Sequence, residues 1–554
     1  MTDQTSTERD DLIRTVARAQ LGYEELREGQ LEATREAVAG RDVLAVMPTG
    51  SGKSAIYQLA GALSGGPVLV VSPLIALQRD QMEGLGEAFG GAVALNSSLS
   101  DSDFEQALSD LAEGRATFAF LAPEQLVNET TRTRLKDMDI ALLAVDEAHC
   151  IATWGHDFRP AYLKLGESRK VLGDPPVLAL TATASAPIRR EIIAELRMDD
   201  PVVVTAGIVR PNISLQVRDV AEVDDAEAVA IEQVVDLEGT GLLYVSTRAR
   251  AEALAERIAT PSRPAMAYHA GLSTARREEV ERRFTEDDPI VVIATTAFGM
   301  GIDVAHVRFV IHVEAPASLD DYYQEFGRAG RDGRPAVAVL VRTLATASGR
   351  RLEGGSTQLE RSQFDRVARG LSSVEETIEV SAVAEQFELT HTRVAVVLEH
   401  LTRVEAVDTI GLEQLAWSGA LEPEEAVDAA FADHERDTAL ADSQVHMMAA
   451  YLDADSCRWR YIGSYFGQQL DEPCGNCDRC WETADEIGDA DGQTATREEA
   501  VHGFSPGDQV QHTSFGSGLV EGVEGNRLMI LFDDAGYKTL AADVLADSEV
   551  PTRS

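Results

Sequence analysis

The chain contains 554 residues and carries a formal net charge of −44, because 93 Asp and Glu outnumber 49 Lys and Arg. This length exceeds what a single hydrophobic core supports and predicts roughly three to five domains. So acidic a chain is unsuited to general nucleic-acid binding, and any such contact must come from local Arg-rich surfaces. A genome that favours Arg and a salt-adapted host explain the composition equally well.

No apolar run approaches the roughly 18 residues of a membrane span. The N-terminal segment, Met1–Asp10, is polar and acidic, unlike a secretory signal or a transit peptide. We therefore expect a cytoplasmic protein with no membrane segment, and we expect it to be a monomer.

Residues 1–343 alternate short apolar runs with helical patterns, which indicates an α/β fold. Short runs rich in Val and Leu predict strands that are buried on both faces of a parallel sheet. Two such lobes are expected, at residues 1–205 and 206–343. The runs are Val43–Val46, Val68–Val71, Leu142–Val145 and Val177–Leu180 in the first lobe, and Leu242–Val245, Ile290–Ile293, Phe309–Ile311 and Ala336–Val341 in the second.

A glycine-rich loop follows the first of these strands and precedes a helical pattern. Its glycines let backbone N–H groups approach phosphates closely, and the helix N-terminus adds positive potential. We expect Lys53 to reach the β- and γ-phosphates of a nucleoside triphosphate and Ser54 to ligate Mg²⁺. Met47 stands where the strict form of the motif has glycine. The candidate phosphate-binding residues are Thr49, Gly50, Ser51, Gly52, Lys53 and Ser54.

Two carboxylates, Asp146 and Glu147, directly follow a buried apolar run, so both emerge at the carboxyl edge of the sheet, where ligands bind. Asp146 is expected to hold Mg²⁺, and Glu147 is expected to orient and deprotonate the attacking water. His149 is expected to bind nucleic acid or to link it to this site.

A Gln-Glu-Phe-Gly-Arg-Ala-Gly-Arg segment of the second lobe supplies Gln324, Arg328 and Arg331 as further catalytic candidates. The two arginines are three residues apart, so on a helix they would share one face. From there they can reach across a cleft to the γ-phosphate as arginine fingers. Hydrolysis is then expected to depend on closure of the two lobes.

Beyond residue 343 the pattern changes to a connector and a winged-helix-like insert, residues 344–440. Apolar residues at the spacing Val394, Val397, Leu398 and Leu401 mark the buried stripe of a helix. This helix is interpreted either as a duplex-binding element or as a packing module without DNA contact. The residues expected to be exposed on it are Arg393, His400 and Arg403.

Four of the five cysteines cluster at residues 441–484, and an odd total argues against a disulfide framework. A CxxCxxC run with one further cysteine upstream provides four thiolates, which suits tetrahedral Zn²⁺ in a closed structural site. An iron–sulfur cluster also takes four thiolates and is the alternative. The candidate metal ligands are Cys457, Cys474, Cys477 and Cys480.

In this order, the motifs resemble superfamily 2 helicases and specifically the RecQ family, which implies RecA-like lobes and a RecQ-type zinc subdomain. The resemblance covers roughly residues 10–343 and 441–481. Its family-specific parts are the cysteine that ends Asp146–Cys150 and an aromatic-rich loop at Ile151–Pro160. The parts shared across the superfamily include Thr181–Ala184, Tyr268–Leu272 and Ala297–Asp303.

The resemblance also implies site residues. Tyr23 and Arg27 would pack on the adenine of ATP while Gln30 hydrogen-bonds its edge, and Asp303 would join the nucleotide site. The aromatic loop offers stacking faces for unpaired bases and donors to phosphate, although its two aromatic residues could instead be core residues. Its nucleic-acid candidates are Trp154, His156, Phe158 and Arg159.

The C-terminal region departs from the RecQ pattern, because no winged-helix domain is found after the cysteines. An acidic linker, residues 485–504, precedes short alternating strands at 505–554 that predict a small SH3/Tudor-like barrel. This segment is similar to the Tudor-like modules of UvrD/PcrA-type helicases, which implies a protein partner such as RNA polymerase or a repair factor.

The sequence therefore predicts an ATP-dependent 3′→5′ DNA helicase that couples hydrolysis to translocation on single-stranded DNA and to duplex unwinding in repair or recombination. ATP, Mg²⁺ and Zn²⁺ are the expected cofactors, and single-stranded DNA and DNA junctions are the expected partners. One alternative is an RNA helicase of the DEAD-box type. The other is a non-unwinding scaffold that binds or anneals nucleic acid.

Overall fold

The computed structural model describes residues 2–73, 75–85, 89–96, 99–152, 160–286, 288–296, 298, 304–344, 359–374, 377–379, 382–383, 386–387, 389–410, 414–487, 504–524, 527–541 and 552–553. Among the helices in these ranges, none combines the length and the hydropathy required to cross a membrane.

Lobe 1 is built on a seven-stranded parallel sheet, as predicted. The strands are β1 (Val43–Val46), β2 (Val68–Val71), β3 (Ala92–Leu95), β4 (Phe118–Leu121), β5 (Leu142–Val145), β6 (Val177–Thr181) and β7 (Val202–Thr205), in the order β3-β4-β2-β5-β6-β1-β7. Successive residues of β1 belong to two different apolar clusters, because one face of the strand packs on each. The sheet is therefore buried on both faces, which explains its continuous apolar runs.

The helices of lobe 1 connect and cover these strands. They are α1 (Thr2–Val16), α2 (Gln30–Val38), α3 (Ser54–Ser64), α4 (Ile75–Leu85), α5 (Asp101–Ala112), α6 (Pro123–Val127), α7 (Glu129–Leu135), α8 (Leu165–Val171) and α9 (Ala186–Glu195). A π-helical turn, Ala17–Leu21, and 3₁₀ turns at Ala148–Ile151 and Pro160–Lys164 complete the lobe.

Lobe 2 repeats this architecture with six parallel strands in the order β10-β11-β9-β12-β13-β8. The strands are β8 (Ile213–Val220), β9 (Thr240–Tyr244), β10 (Ala265–Tyr268), β11 (Val291–Ala294), β12 (Val307–His312) and β13 (Ala336–Thr343). The helices are α10 (Val223–Asp236), α11 (Arg248–Ile258), α12 (Thr274–Thr285) and α13 (Leu319–Phe326).

The insert has the predicted winged-helix character. Helices α14 (Arg361–Ser372) and α15 (His391–Arg403) pack beside a small antiparallel sheet in the order β14-β16-β15, formed by β14 (Ile378–Glu379), β15 (Val407–Ile410) and β16 (Gln414–Trp417). The two longer strands form a hairpin, the wing. The apolar stripe of α15 is buried in the core of the insert, as its spacing predicts.

A 31-residue helix, α16 (Pro423–Asp453), connects the insert to the zinc subdomain and runs through position 441, the boundary that the sequence predicts between them. Helices α17 (Arg458–Tyr465) and α18 (Asp478–Ile487) carry the cysteines. They dock on β8, the edge strand of lobe 2, where Trp459 Nε1 donates to Ile213 O at 3.1 Å and Val217 N donates to Asp478 Oδ2 at 2.9 Å.

The C-terminal module is an antiparallel sheet in the order β20-β19-β18-β17-β21, as expected for a small SH3/Tudor-like fold. Its strands are β17 (Gln509–His512), β18 (Gly516–Glu524), β19 (Arg527–Phe532), β20 (Gly536–Ala541) and β21 (Thr552–Arg553). The module is docked on the rest of the molecule. Tyr537 is buried against Tyr465 of α17, with ring centroids 5.1 Å apart, and Asp533 pairs with Arg190 of α9 at 3.3 Å.

The expectation that His400 and Arg403 are exposed is wrong. His400 is only 3% exposed, and its Nδ1 lies 2.9 Å from Asp433 Oδ2. Arg403 binds the carboxylates of Asp433 at 2.8 Å and Asp437 at 2.9 Å, both on α16. These partners lie some thirty positions away along the chain, so local helical spacing could not reveal them. Of the three residues, Arg393 alone is exposed.

We predict that Arg403→Ala loosens the insert, because it leaves Asp433, Asp437 and Glu399 partly buried without their shared cation. The free energy of opening of α15, measured by native-state hydrogen exchange, should fall by about 2–3 kcal/mol. Arg393→Ala on the same helix is the control and should change it by less than about 0.5 kcal/mol. Equal effects of the two changes would contradict the packing role of Arg403.

Candidate nucleotide site and zinc centre

The glycine-rich loop lies between β1 and α3, at the carboxyl edge of the lobe 1 sheet. Gly50 and Gly52 have φ values of 79° and 78°, which lie in the left-handed region that favours glycine. Helix α3 begins at Ser54, with Lys53 at its N-cap position. Lys53 Nζ donates to the carbonyl of Met47 at 3.3 Å. The loop thus aims its backbone at the space where phosphates bind in such sites.

The two acidic candidates meet this loop from the end of β5. Asp146 is buried, and its Oδ2 accepts a hydrogen bond from Gln81 Nε2 at 3.1 Å. Burial and the neighbouring Glu147 carboxylate raise the pKa of Asp146 to about 6, while the charge of Lys53 opposes the shift. Glu147 has a φ of 48°, a strained conformation of the kind found at functional sites.

His149 lies between the acidic pair and lobe 2, and it is buried. Its Nδ1 is 3.1 Å from Thr181 Oγ1 and 3.4 Å from Glu147 Oε2, and its Nε2 is 3.4 Å from Gln324 Nε2. Thr181 Oγ1 gives its own proton to the carbonyl of Thr183 at 2.8 Å. The network therefore assigns the imidazole proton to Nδ1, which leaves Nε2 to accept from Gln324. The predicted link to nucleic acid stays a prediction, and in this conformation it would be indirect.

The arginine pair does not lie on a helix, contrary to the sequence expectation. Helix α13 ends at Phe326, so Arg328 lies in the loop that follows it, and Gly330, with a φ of 56°, turns this loop just before Arg331. Arg331 nonetheless packs on the phosphate loop, since a Cβ placed on Gly50 would meet Arg331 Cγ at 3.2 Å. Arg328 instead lies beside Tyr244, at the end of β9, and interacts with its hydroxyl. The two guanidiniums thus have different positions in the cleft.

Arg210 joins the two loops that form the cleft, and sequence reasoning missed it. Its NH1 donates to Thr49 O at 3.2 Å and to Gly327 O at 3.1 Å, and its NH2 donates to Ala329 O at 3.0 Å and to Gly330 O at 2.8 Å. Burial lowers the pKa of Arg210. A single Arg in the segment between the lobes carries no spacing pattern, so no local signal could identify it.

A cavity of about 300 Å³ lies between the phosphate loop and the loop after α13. Arg27 lines it and donates to the Gly50 carbonyl. Tyr23 lines a separate cavity of about 330 Å³ beside α1. Gln30 is buried, and its Nε2 donates to Ser51 O at 2.9 Å and to Gly52 O at 3.0 Å. Gln30 therefore braces the phosphate loop, and its predicted contact with a base stays a prediction.

Several predicted residues lie outside the described part of the chain. They are the aromatic-loop candidates Trp154, His156, Phe158 and Arg159, together with Asp303.

The four C-terminal cysteines converge as predicted, with all four sulfur atoms within 4.8 Å of one another. The sulfurs of Cys477 and Cys480 are 3.5 Å apart, and those of Cys474 and Cys480 are 3.9 Å apart. A tetrahedral zinc ion with Zn–S bonds of about 2.3 Å requires sulfur separations of roughly 3.8 Å, so the cluster fits the ion. The backbone N–H of Cys474 also donates to Cys457 Sγ at 3.2 Å, which favours the metal-binding thiolate.

In a second group of potential metal ligands, the side chains are already bonded to other protein atoms. The group consists of His400, Asp433 and Asp437. The Arg403 guanidinium already pairs with both carboxylates. His434 Nδ1 lies 3.3 Å from His400 Nε2, so both nitrogens of the His400 ring face protein atoms. This group is a buried ion-pair network of the insert.

Two RecA-like lobes that enclose a phosphate loop, an acidic pair and an arginine-bearing loop define the helicase class of protein. Family models agree: "DEAD/DEAH box helicase" matches residues 27–190, "Helicase conserved C-terminal domain" matches 228–333, and "RecQ zinc-binding" matches 424–481. The structure of the DUF1998 helicase MrfA bound to DNA has a similar fold, with a TM-score of 0.51 and 17% identity over 74% of this chain and 63% of that one.

The chain belongs to the RecQ family. It is 34% identical to the ATP-dependent DNA helicase RecQ of Synechocystis sp. over 83% of this chain and 96% of that protein. It is 41% identical to the probable ATP-dependent DNA helicase RecS of Bacillus subtilis over 58% of this chain and 65% of that one. It is 39% identical to RecQ of Pasteurella multocida over 59% of this chain and 51% of that one. The match thus spans about half to two thirds of the latter two relatives.

We predict that Cys477→Ser lowers bound zinc well below one equivalent, because serine replaces a thiolate ligand with a poor one. Metal analysis of the purified protein measures this loss. Cys150→Ser is the control, since Cys150 is buried in lobe 1, far along the chain from the cluster. A full equivalent of zinc in the Cys477→Ser protein would contradict the assigned ligand set.

Proposed function

We propose that the protein is an ATP-dependent DNA helicase that moves 3′→5′ on single-stranded DNA and unwinds duplexes in repair or recombination. Membership of the RecQ family supports the substrate class. The observation that carries the proposal is the packing of Arg331 of lobe 2 on Gly50 of the phosphate loop in lobe 1. A cation brought to the phosphates by the opposite lobe makes hydrolysis depend on the relative position of the lobes.

The residues around the cleft divide the chemistry among them. Lys53 binds the β- and γ-phosphates, and Ser54 and Asp146 supply the oxygen ligands that Mg²⁺ prefers. Bound Mg²⁺ would neutralise phosphate charge. Glu147 orients the attacking water and takes its proton. Arg331 stabilises the charge that develops on the γ-phosphate, while Arg328 and Gln324 connect this event to lobe 2.

The nucleotide base is proposed to bind near Tyr23 and Arg27, whose side chains line the two cavities on either side of the turn before α2. The Gln30 amide is bonded to the phosphate loop, so its effect on the base is indirect in this conformation. A direct contact with the base requires the amide to change partners when the nucleotide binds. Asp303 is proposed to complete the nucleotide site.

Single-stranded DNA is proposed to be held by the loop that carries Trp154, His156, Phe158 and Arg159. Stacking on aromatic faces does not depend on sequence, and neither do phosphate contacts, which suits translocation. The protein is proposed to be a cytoplasmic monomer. Its C-terminal module is proposed to bind a protein partner through the face that is not docked, where Leu519 is exposed.

We predict that Glu147→Gln lowers the ATP hydrolysis rate by about 100-fold or more, because the amide cannot accept the proton of water. Binding of a fluorescent ATP analogue should persist, since phosphate contacts come from the loop. Glu129→Gln, which changes an exposed carboxylate of lobe 1, is the control and should hydrolyse ATP normally. Undiminished turnover in Glu147→Gln would remove the assigned role.

We predict that single-stranded DNA stimulates hydrolysis at least about tenfold more than RNA of the same sequence. Steady-state ATPase assays with matched oligonucleotides measure this, and forked duplexes with either tail polarity measure direction. Stimulation by RNA alone would favour the DEAD-box alternative. The scaffold alternative would be favoured if the unchanged protein unwinds no duplex and the Lys53→Ala variant still anneals strands normally.

A further inference from the structure

Helix α9 of lobe 1 begins without a side-chain cap of its own. Ser185 occupies the N-cap position, yet its hydroxyl accepts no hydrogen bond from the first turn. Its Oγ is buried and faces the Tyr465 hydroxyl instead. The first N–H groups of a helix need acceptors, and an N-terminus without them is destabilised. An acceptor from elsewhere in the molecule would therefore stabilise this helix.

Asp320, in the first turn of α13 of lobe 2, presents a carboxylate to this helix end. Its side chain is 8% exposed, and the backbone N–H of Ser185 faces the carboxylate. Oδ2 accepts from Tyr465 Oη at 2.6 Å and from Gln444 Nε2 at 3.4 Å, both in the zinc-subdomain helices. The other oxygen, Oδ1, is buried and makes no hydrogen bond within the described ranges. One acceptor thus remains for the N-terminus of α9.

The charge state of Asp320 permits this role at neutral pH. Burial and the neighbouring Asp321 carboxylate raise its pKa to about 6, although the Tyr465 hydroxyl and the Ser185 N–H oppose the shift. The carboxyl is therefore ionised at pH 7 and above. An anion at a helix N-terminus interacts favourably with the helix dipole.

We propose that Asp320 is a positioning residue that caps α9 from the opposite lobe, so that closure of the lobes fixes the turn that precedes this helix. That turn, Thr181–Ala184, carries the hydroxyl that holds His149, and His149 lies 3.4 Å from the Glu147 carboxylate. Tyr465 holds the second oxygen of Asp320, so the zinc subdomain sets where the cap stands. The contact between Asp320 and α9 thereby couples closure of the lobes, the position of the zinc subdomain and the activation of the attacking water.

This inference rests on the proposed ATP hydrolysis, and the experiment separates the two. Asp320→Leu keeps a side chain of similar size and removes the acceptor, whereas Asp320→Asn keeps an acceptor, because Asn also caps helices well. Asp321→Asn is the matched control, since it removes the same charge from the adjacent residue. The proteins are full-length, and their zinc content and circular dichroism are compared first.

The expected result is a five- to tenfold lower kcat for DNA-stimulated hydrolysis in Asp320→Leu, with KM for ATP within about twofold. Asp320→Asn and Asp321→Asn should stay within about threefold of the unchanged protein. Tyr465→Phe should lower kcat as well, and its effect should not add to that of Asp320→Leu, because both act through the same carboxylate.

Hydrogen exchange supplies a readout that does not require turnover. A non-hydrolysable ATP analogue should protect the amides of Ser185, Ala186 and Ile188 in the unchanged protein and in Asp320→Asn, but not in Asp320→Leu. The inference is overturned if Asp320→Leu keeps both its kcat and this protection, or if Asp320→Asn is as impaired as Asp320→Leu. Absence of hydrolysis in the unchanged protein would instead defeat the proposed function, while the exchange measurement would still decide on the cap.

Discussion

One guanidinium group holds the nucleotide cleft in shape. Arg210 binds the carbonyl of Thr49 in lobe 1 and three carbonyls of the loop after α13 in lobe 2. Carbonyl oxygens are weak partners for a cation compared with carboxylates, so the contact depends on its fork geometry and on burial. Because this loop carries Arg331, the position of the Arg331 side chain over Gly50 depends on Arg210.

Helix α9 of lobe 1 has contacts with each of the other modules of the chain. Its N-terminus faces Asp320 of lobe 2, and Arg189 donates to the carbonyl of Phe466 in the zinc subdomain. Arg190 pairs with Asp533 of the C-terminal module. Further along, Glu195 lies near Arg403 of the insert, and burial raises its pKa. A movement of this single helix would therefore change its contacts with lobe 2, the insert, the zinc subdomain and the C-terminal module.

The sequence could predict the features that arise from local spacing. The loop between β1 and α3, the position of two carboxylates at the end of β5 and the convergence of four cysteines follow from short-range patterns, which turn geometry, strand ends and metal coordination impose. The helical spacing expected for Arg328 and Arg331 does not apply, because α13 ends at Phe326, before Arg328 is reached. The burial of His400 cannot be predicted from helical spacing, because its partner Asp433 lies on another helix. Arg210 and Asp320 act through backbone atoms or through residues distant in the chain, and such contacts produce no pattern in the local sequence.

The docked C-terminal module has a consequence for how the chain acquires its structure. Met529, Leu531 and Tyr537 belong to the same apolar cluster as Trp459 and Tyr465, so the module supplies one wall of the core shared by lobe 2 and the zinc subdomain. Residues 504–541 are translated after that subdomain. The core that the zinc subdomain shares with lobe 2 therefore stays incomplete until the C-terminal module has been translated and has docked.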